Sequence, residues 1–533
     1  MRHNKGLWIL VLGAFFLTLS SGMAGAQKAS PEIGAKQITT QINGQRAWKF
    51  TRDIASPEFG GRLAGTEDEF MAAEFISRKF EIWGLEPAGD DGTYYQSFTL
   101  SSWYATAPVN LALEGGPTYE YGTDYRIFTY SGSVDVTAEV VFAGYGITVP
   151  PYNQADYPGC TAPTAGYDDY ASLDVADKIV LVLRHGPNDD PNWYYADCPT
   201  NIPEAAGSWA FGYKSLNARL HGAEAMILVN DYNHGPGVAS GTLNSYAYLP
   251  DMGAVRADRA IGETLVPDLE ARQATIDSTL DPTSVTGPTG QFMHMLVTAS
   301  FNPEAQSQNV LGVIPGSDPE IGDEVVILSA HYDHVGVSPT GEVFSGADDD
   351  ASGVAVMMEL AKVMASGNFS PKRTILFAAW GAEEAGLLGS EYYVEQDPKY
   401  PLEDTVAVLQ MDMIGVGDST GVNVSGGVEF PDLFSQIAAN ADELFLASAD
   451  LISGGRSDHA PFINAGVPAV MFQTMGPHLY YHTPADSIDT IDRYELELTG
   501  RVVGATAYEI AMDETFVVSR PTGFLLRHFD DAE

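Results

Sequence analysis

Between residues 308 and 512 the chain repeats one pattern: a short, almost wholly apolar run that ends on a residue able to bind a metal or move a proton. Val325-Val326-Ile327-Leu328-Ser329-Ala330 runs into His331-Tyr332-Asp333, and Thr374 to Ala379 runs into Trp380-Gly381-Ala382-Glu383-Glu384. Val406 to Met411 ends at Asp412, and Ala469 to Gln473 leads on to Tyr480-Tyr481-His482. Aliphatic runs of five or six residues without polar alternation predict strands buried on both faces. Val310 to Ile314 predicts another, while Ser352 to Ala365 and Arg493 to Met512 predict helices. Strands of this kind alternating with helices specify an α/β three-layer sandwich around a mixed, largely parallel central sheet. Ligands gather beyond the carboxyl ends of such strands, so four polar groups emerging there predict one convergent site.

The residue types suit divalent metals. Two His, two Asp and one Glu make two tetrahedral sites if one carboxylate bridges, an arrangement used where two ions ~3.5–4 Å apart act on one water. Asp349, in the loop Gly346 to Gly353 (GADDDASG) that opens a helix, is the natural bridge. A triple-Asp loop is by itself most often solvated surface, and so is a Glu-Glu pair. Placement of Glu383-Glu384 straight after a buried strand favours a division of labour, with one carboxylate on metal and its neighbour moving protons.

The rest of the chain frames this site. Arg2 and Lys5, the apolar run Leu7 to Leu19 and the small residues ending Ala24-Gly25-Ala26 predict a cleaved signal peptide over 1–26 and a secreted or periplasmic product. The run is shorter than the ~20 residues of a membrane span. With 27 basic against 71 acidic residues the net charge is −44, which disfavours nucleic-acid and membrane-surface partners. The only two cysteines, Cys160 and Cys198, are expected as a disulfide. Residues 27–130 form the first part of the main domain, beginning with a loose polar lead-in to about Arg46 and a helix over Glu67 to Trp83 stopped by Gly84. Residues 131–298 are rich in Gly, Pro, Asn and Tyr with strand-like runs, and read as a mainly β insert with its own core. Residues 299–515 complete the main domain, and 516–533 form a tail.

Taken together these segments resemble the M28 family of zinc exopeptidases. The carriers are Ser329 to Gly336 (SAHYDHVG), the GADDDASG loop, Ala382 to Ser390 (AEEAGLLGS), Gln410 to Ile414 (QMDMI), Arg456 to Phe462 (RSDHAPF) and Tyr481 to Asp486 (YHTPAD). They span the C-terminal 200 or so residues, and Leu216 to Val229 in the insert is similar to a protease-associated (PA) domain. The resemblance implies two zinc ions, one on His331 and Asp412 and one on Glu384 and His482, bridged by Asp349 across a cis Asp349–Asp350 peptide. It implies Glu383 as general base, Asp333 bonded to the His331 imidazole, Tyr481 donating to the oxyanion, and Arg456 contacting substrate. It further implies peptide substrates.

Within the family the abundance of carboxylates favours an aminopeptidase, which binds an ammonium, over a carboxypeptidase, for which Arg456 is the one clear basic candidate between Ser300 and Met512 near a motif. A glutaminyl cyclase-like enzyme or a non-catalytic receptor-like relative would lack part of the ligand set. Gly417 to Gly421 satisfies GxSxG, yet Val422-Asn423-Val424 continues as a strand where a serine-hydrolase elbow needs a helix. His334, His459 and His478 are expected to lie outside the ligand set, and no HExxH helix is present.

Overall fold

The computed structural model describes residues 31–190, 198–199, 202, 211–238, 249–365, 369–445, 448–452 and 457–519. The expected signal peptide, Arg456 and residues 520–533 of the expected tail lie outside them.

Helices α1 (Pro31–Thr39), α2 (Gly44–Ile54) and α3 (Glu67–Trp83) open the chain. The expected loose lead-in is therefore largely helical: Ala35, Ile38 and Ile42 are buried in the main core, so tertiary packing overrides the polar composition. α3 ends where expected, at Gly84 with φ 82°, whose N–H reaches the Phe80 carbonyl. Strands β1 (Glu86–Pro87) and β2 (Tyr95–Leu113) then lead into the insert. It contains β3 (Tyr125–Ile127), β4 (Val134–Phe142), β5 (Thr148–Val149), β6 (Tyr167–Asp168), β7 (Ile179–Leu183), α4 (Phe211–Leu220), β8 (Ala225–Val229), β9 (Gly253–Ala257), α5 (Arg259–Leu265) and α6 (Leu269–Thr279). β3 pairs with β9 and so joins the insert ahead of the expected boundary at 131.

The long strand β10 (Gly287–Ile314) returns the chain to the main domain, crossing the expected boundary at 298. There follow β11 (Val325–His331), α7 (Ser352–Ala365), β12 (Thr374–Trp380), α8 (Leu388–Glu395), β13 (Thr405–Met411), β14 (Gly421–Ser425) and α9 (Pro431–Phe445). β15 (Ser448–Ile452), α10 (His459–Asn464), β16 (Ala469–Thr474) and α11 (Arg493–Met512) complete it.

One sheet runs through the described molecule in the order β15-β14-β16-β13-β11-β12-β10-β4-β7-β8-β9-β3, with β1 and β2 also paired to β10. In the main half, β12, β11, β13 and β16 are mutually parallel and β10 is antiparallel to β12. Each face of these strands is apolar, as the runs predicted. On β11, Val326, Leu328 and Ala330 enter the core beneath α1, α2, α3, α7, α9 and α11. Val325 and Ile327 enter the opposite layer with Trp380, Tyr393 and Phe462 of the α8–α10 side.

The insert repeats the logic. β4, β7, β8 and β9 are parallel neighbours, and parallel crossovers require covering elements. Ile179, Leu181 and Leu183 pack toward α5 and α6, whereas Val180 and Val182 pack toward α4. Cys160 and Cys198 are disulfide-bonded in the first of these clusters, with Cα atoms 4.7 Å apart.

Candidate metal centre

The four strand ends converge. β11 ends on His331, β13 hands over to Asp412, β12 to the turn of Glu383 and Glu384, and the loop after β16 carries His482. His331 Nε2 lies 3.2 Å from Asp349 Oδ1 and 3.7 Å from Asp412 Oδ1. His482 Nε2 lies 3.0 Å from Asp349 Oδ2 and 2.9 Å from Glu384 Oε1. Asp349 therefore faces one donor group with each carboxylate oxygen. Donors around a tetrahedral ion with bonds of ~2.0–2.1 Å stand roughly 3.3 Å apart, so both groups have the spacing that zinc requires.

Buried polar atoms support the same fit. Asp412 Oδ1, Asp349 Oδ2, His331 Nδ1, His334 Nε2 and His482 Nδ1 are enclosed without a hydrogen-bond partner. Carboxylate oxygens left this way are costly unless a cation faces them. Burial opposes ionisation of Asp349, yet the adjacent His331 and His482 imidazoles hold its carboxyl well below the usual range.

The three adjacent aspartates divide their tasks. Asp348 accepts from the Gly415 and Val416 N–H groups and pairs with His478 Nδ1 at 2.6 Å, so His478 lies outside the donor groups. Asp350 accepts from the N–H groups of His331 and Gly353. Asp349 alone faces both groups, its own N–H donating to Asp486, and the Asp349–Asp350 peptide is cis.

Glu383 Oε2 stands 4.0 Å from His331 Nε2, beside rather than within the donor groups. Burial, together with Glu384, Asp458 and Asp412, pushes its carboxyl well up, and His331 opposes this. Asp333 departs from expectation. Its Oδ1 is 3.7 Å from His331 Nδ1, too far for a hydrogen bond, and its carboxylate instead accepts from the Glu383 and Glu384 N–H groups at 2.9 and 3.2 Å. It thereby fixes the turn that bears both glutamates. The Tyr481 ring stacks on His482 with centroids 3.8 Å apart. Burial and the nearby Glu384, Asp349, Glu383 and Asp412 raise its phenol, so the hydroxyl keeps its proton.

Two residues carry more than their sequence signal suggested. His334, expected outside the ligand set, is buried with Nδ1 2.9 Å from Glu384 Oε1, and it joins Asp349, Glu384 and His482 as a fourth potential donor. Its position in HYDH, three after His331, was the available signal. Arg62 is fully enclosed and donates to the carbonyls of Ile54, Tyr332, Ser345 and Gly346, clamping the loop after β11 to the loop before Asp349. Burial lowers its pKa, opposed by Asp333, Asp486, Asp349 and Asp350. Ser419 of the GxSxG sequence donates to Glu495 and is followed by β14, so it forms no elbow. His459 Nε2 contacts Ser425 Oγ at 3.2 Å, outside the donor groups.

Known proteins share the sequence and fold that carry these residues. Residues 309–507 match the model of peptidase family M28, and residues 136–265 match that of the PA domain. Aminopeptidase YwaD of Bacillus subtilis (strain 168) is 27% identical over 522 residues, covering 95% of this chain and 94% of that protein. A probable leucine aminopeptidase 2 of Aspergillus oryzae is 28% identical over 383 residues, covering 69% and 62% respectively. Among solved structures, the aminopeptidase from Aneurinibacillus sp. strain AM-1 superposes with a TM-score of 0.66 at 25% identity, covering 91% of this chain and 98% of that one. A zinc aminopeptidase from Bacillus subtilis shares the fold, with a TM-score of 0.61 at 23% identity over 89% and 97%.

Proposed function

We propose that this chain, whose residues 309–507 match peptidase family M28 and whose residues 136–265 match the PA domain, is a metallo-aminopeptidase, exported and holding two zinc ions, with Glu383 as its general base. The observation that carries this reading is Asp349, shared between the His331–Asp412 and Glu384–His482 groups with donor spacings suited to two ions. Zinc held there supplies Lewis acidity that polarises the scissile carbonyl and acidifies the attacking water.

This chain's own residues do the rest. Glu383 takes a proton from the water and delivers it to the leaving amine, a role suited to a carboxyl raised by burial and neighbouring acids. Tyr481 Oη keeps its proton and donates to the oxyanion as the carbonyl carbon becomes tetrahedral. The stacking of its ring on His482 keeps Tyr481 beside that ligand. Asp333, through the Glu383 and Glu384 N–H groups, keeps base and ligand in register. The apolar run and Ala24-Gly25-Ala26 at the amino terminus support export.

Metal analysis of purified protein is expected to give two zinc per chain. Leucyl peptides should be cleaved and their N-acetylated counterparts spared. A chelator should abolish turnover and added zinc restore it. Full activity with one ion per chain would exclude the two-metal reading, and equal cleavage of blocked peptides would exclude an aminopeptidase. Sequencing the exported protein should place its first residue at Gln27.

A further inference from the structure

The donor group of His334, Glu384 and His482 opens into a pocket at the junction of the main domain and the insert. His334, Glu384 and His482 line one part of it, Trp103 and Phe128 contribute to its walls, and two arginines of the insert, Arg126 and Arg256, line another part. Arg126 lies on β3 and Arg256 on β9, directly opposite one another in antiparallel register. Side chains paired this way leave the sheet on one face, and like charges there repel. Arg256 is 8% exposed, and burial together with Arg126 pushes its guanidinium down to about 10. Arg126 is half-buried and makes no ion pair among the described residues. Tyr121, also in the lining, feels both guanidinia, and Glu342 beside it is exposed.

Placing two guanidinia together in a pocket wall costs stability, in a chain with only 27 basic residues to set against 71 acidic ones. The cost is offset when an anion occupies the pocket, and a fork of two guanidinia matches a carboxylate. Peptides supply such a group either as an Asp or Glu side chain or, when short, as the C-terminal carboxylate.

We propose that Arg126 and Arg256 form a carboxylate subsite of the peptide pocket. The peptide would be held at its anionic end by the insert while its amino-terminal bond lies beside His334, Glu384 and His482. This rests on the aminopeptidase reading and adds a substrate class to it. The surrounding negative charge repels acidic peptides at long range, so the pair acts as a local filter for carboxylates of the right reach. It also brings to the pocket the basic cluster that the main-domain sequence lacked.

The test compares three substrate sets with zinc-loaded enzyme. Leucyl p-nitroanilide lacks a carboxylate, Leu-Gly-Gly is used as free acid and as amide, and amidated pentapeptides carry Glu or Gln at positions two to four. The carboxylate member of at least one pair should be favoured by about tenfold or more in kcat/KM, mainly through KM. A preference in the tripeptide pair assigns the C-terminus, and one in the pentapeptides a side chain. R126Q should bring that ratio close to one and R126K should retain most of it; Arg256, being buried, is left intact so that folding is preserved. Ratios near one in both sets with the anilide still hydrolysed, or a ratio unchanged in R126Q, would overturn the subsite. Absence of hydrolysis on every substrate would instead overturn the function on which it rests.

Discussion

Glu383 and Glu384 are adjacent in sequence and separate in task. Glu384 lies 2.9 Å from both His482 and His334, while Glu383 stands 4.0 Å from His331 and outside both donor groups. Glu383→Gln should therefore keep the zinc content and reduce kcat by about 10²- to 10⁴-fold, the usual contribution of a positioned base. Near-normal turnover would remove Glu383 from that role. At this scale residue types and order were legible, and the five expected ligands lie in the two donor groups. His334 was not legible as a donor, because its direction depends on the loop that Arg62 clamps from 270 residues earlier in the chain. Asp333 was legible as a neighbour of the site but not as the acceptor for the Glu383 and Glu384 N–H groups, which belong to the turn after β12.

Strand ends in the insert are tied by a second set of charges. His185, just past β7, and His234 both bond to Asp231, just past β8, at 2.7 and 2.9 Å. Burial alone would raise Asp231, but these bonds hold its carboxyl down to about 2. A folded pKa below the unfolded ~3.9 means that the contribution is present above pH ~4 and is lost as pH falls through about 2; it amounts to roughly 2–3 kcal/mol. In urea titrations the stability difference between wild type and Asp231→Asn should shrink between pH 5 and pH 2. A difference equal at both values would refute the coupling.

Elements as such were largely legible: the helices over 67–83, 352–365 and 493–512 stand where periodicity placed them. The lead-in was not. Its helix α1 packs against α11, more than 450 residues later, and no local pattern reports that contact.

For the molecule as a whole, a net charge of −44 is the dominant long-range force. Self-repulsion of this size is screened once the Debye length falls to ~10 Å near 0.1 M salt. The melting temperature should accordingly rise by several degrees between about 20 mM and 0.5 M sodium chloride, as calorimetry would record, and a flat or falling profile would contradict this account. Among the described residues no helix is long and apolar enough to cross a membrane. Alone, the sequence determined the parallel layered core and the donors at its strand ends, because buried strands must be apolar throughout and the polar residue that follows each has one place to emerge. Only the tertiary structure decided that β10 carries one sheet through both halves and sets Arg126 and Arg256 in the wall of the metal-site pocket. Register between strands 130 residues apart is fixed by packing, which no local sequence pattern encodes.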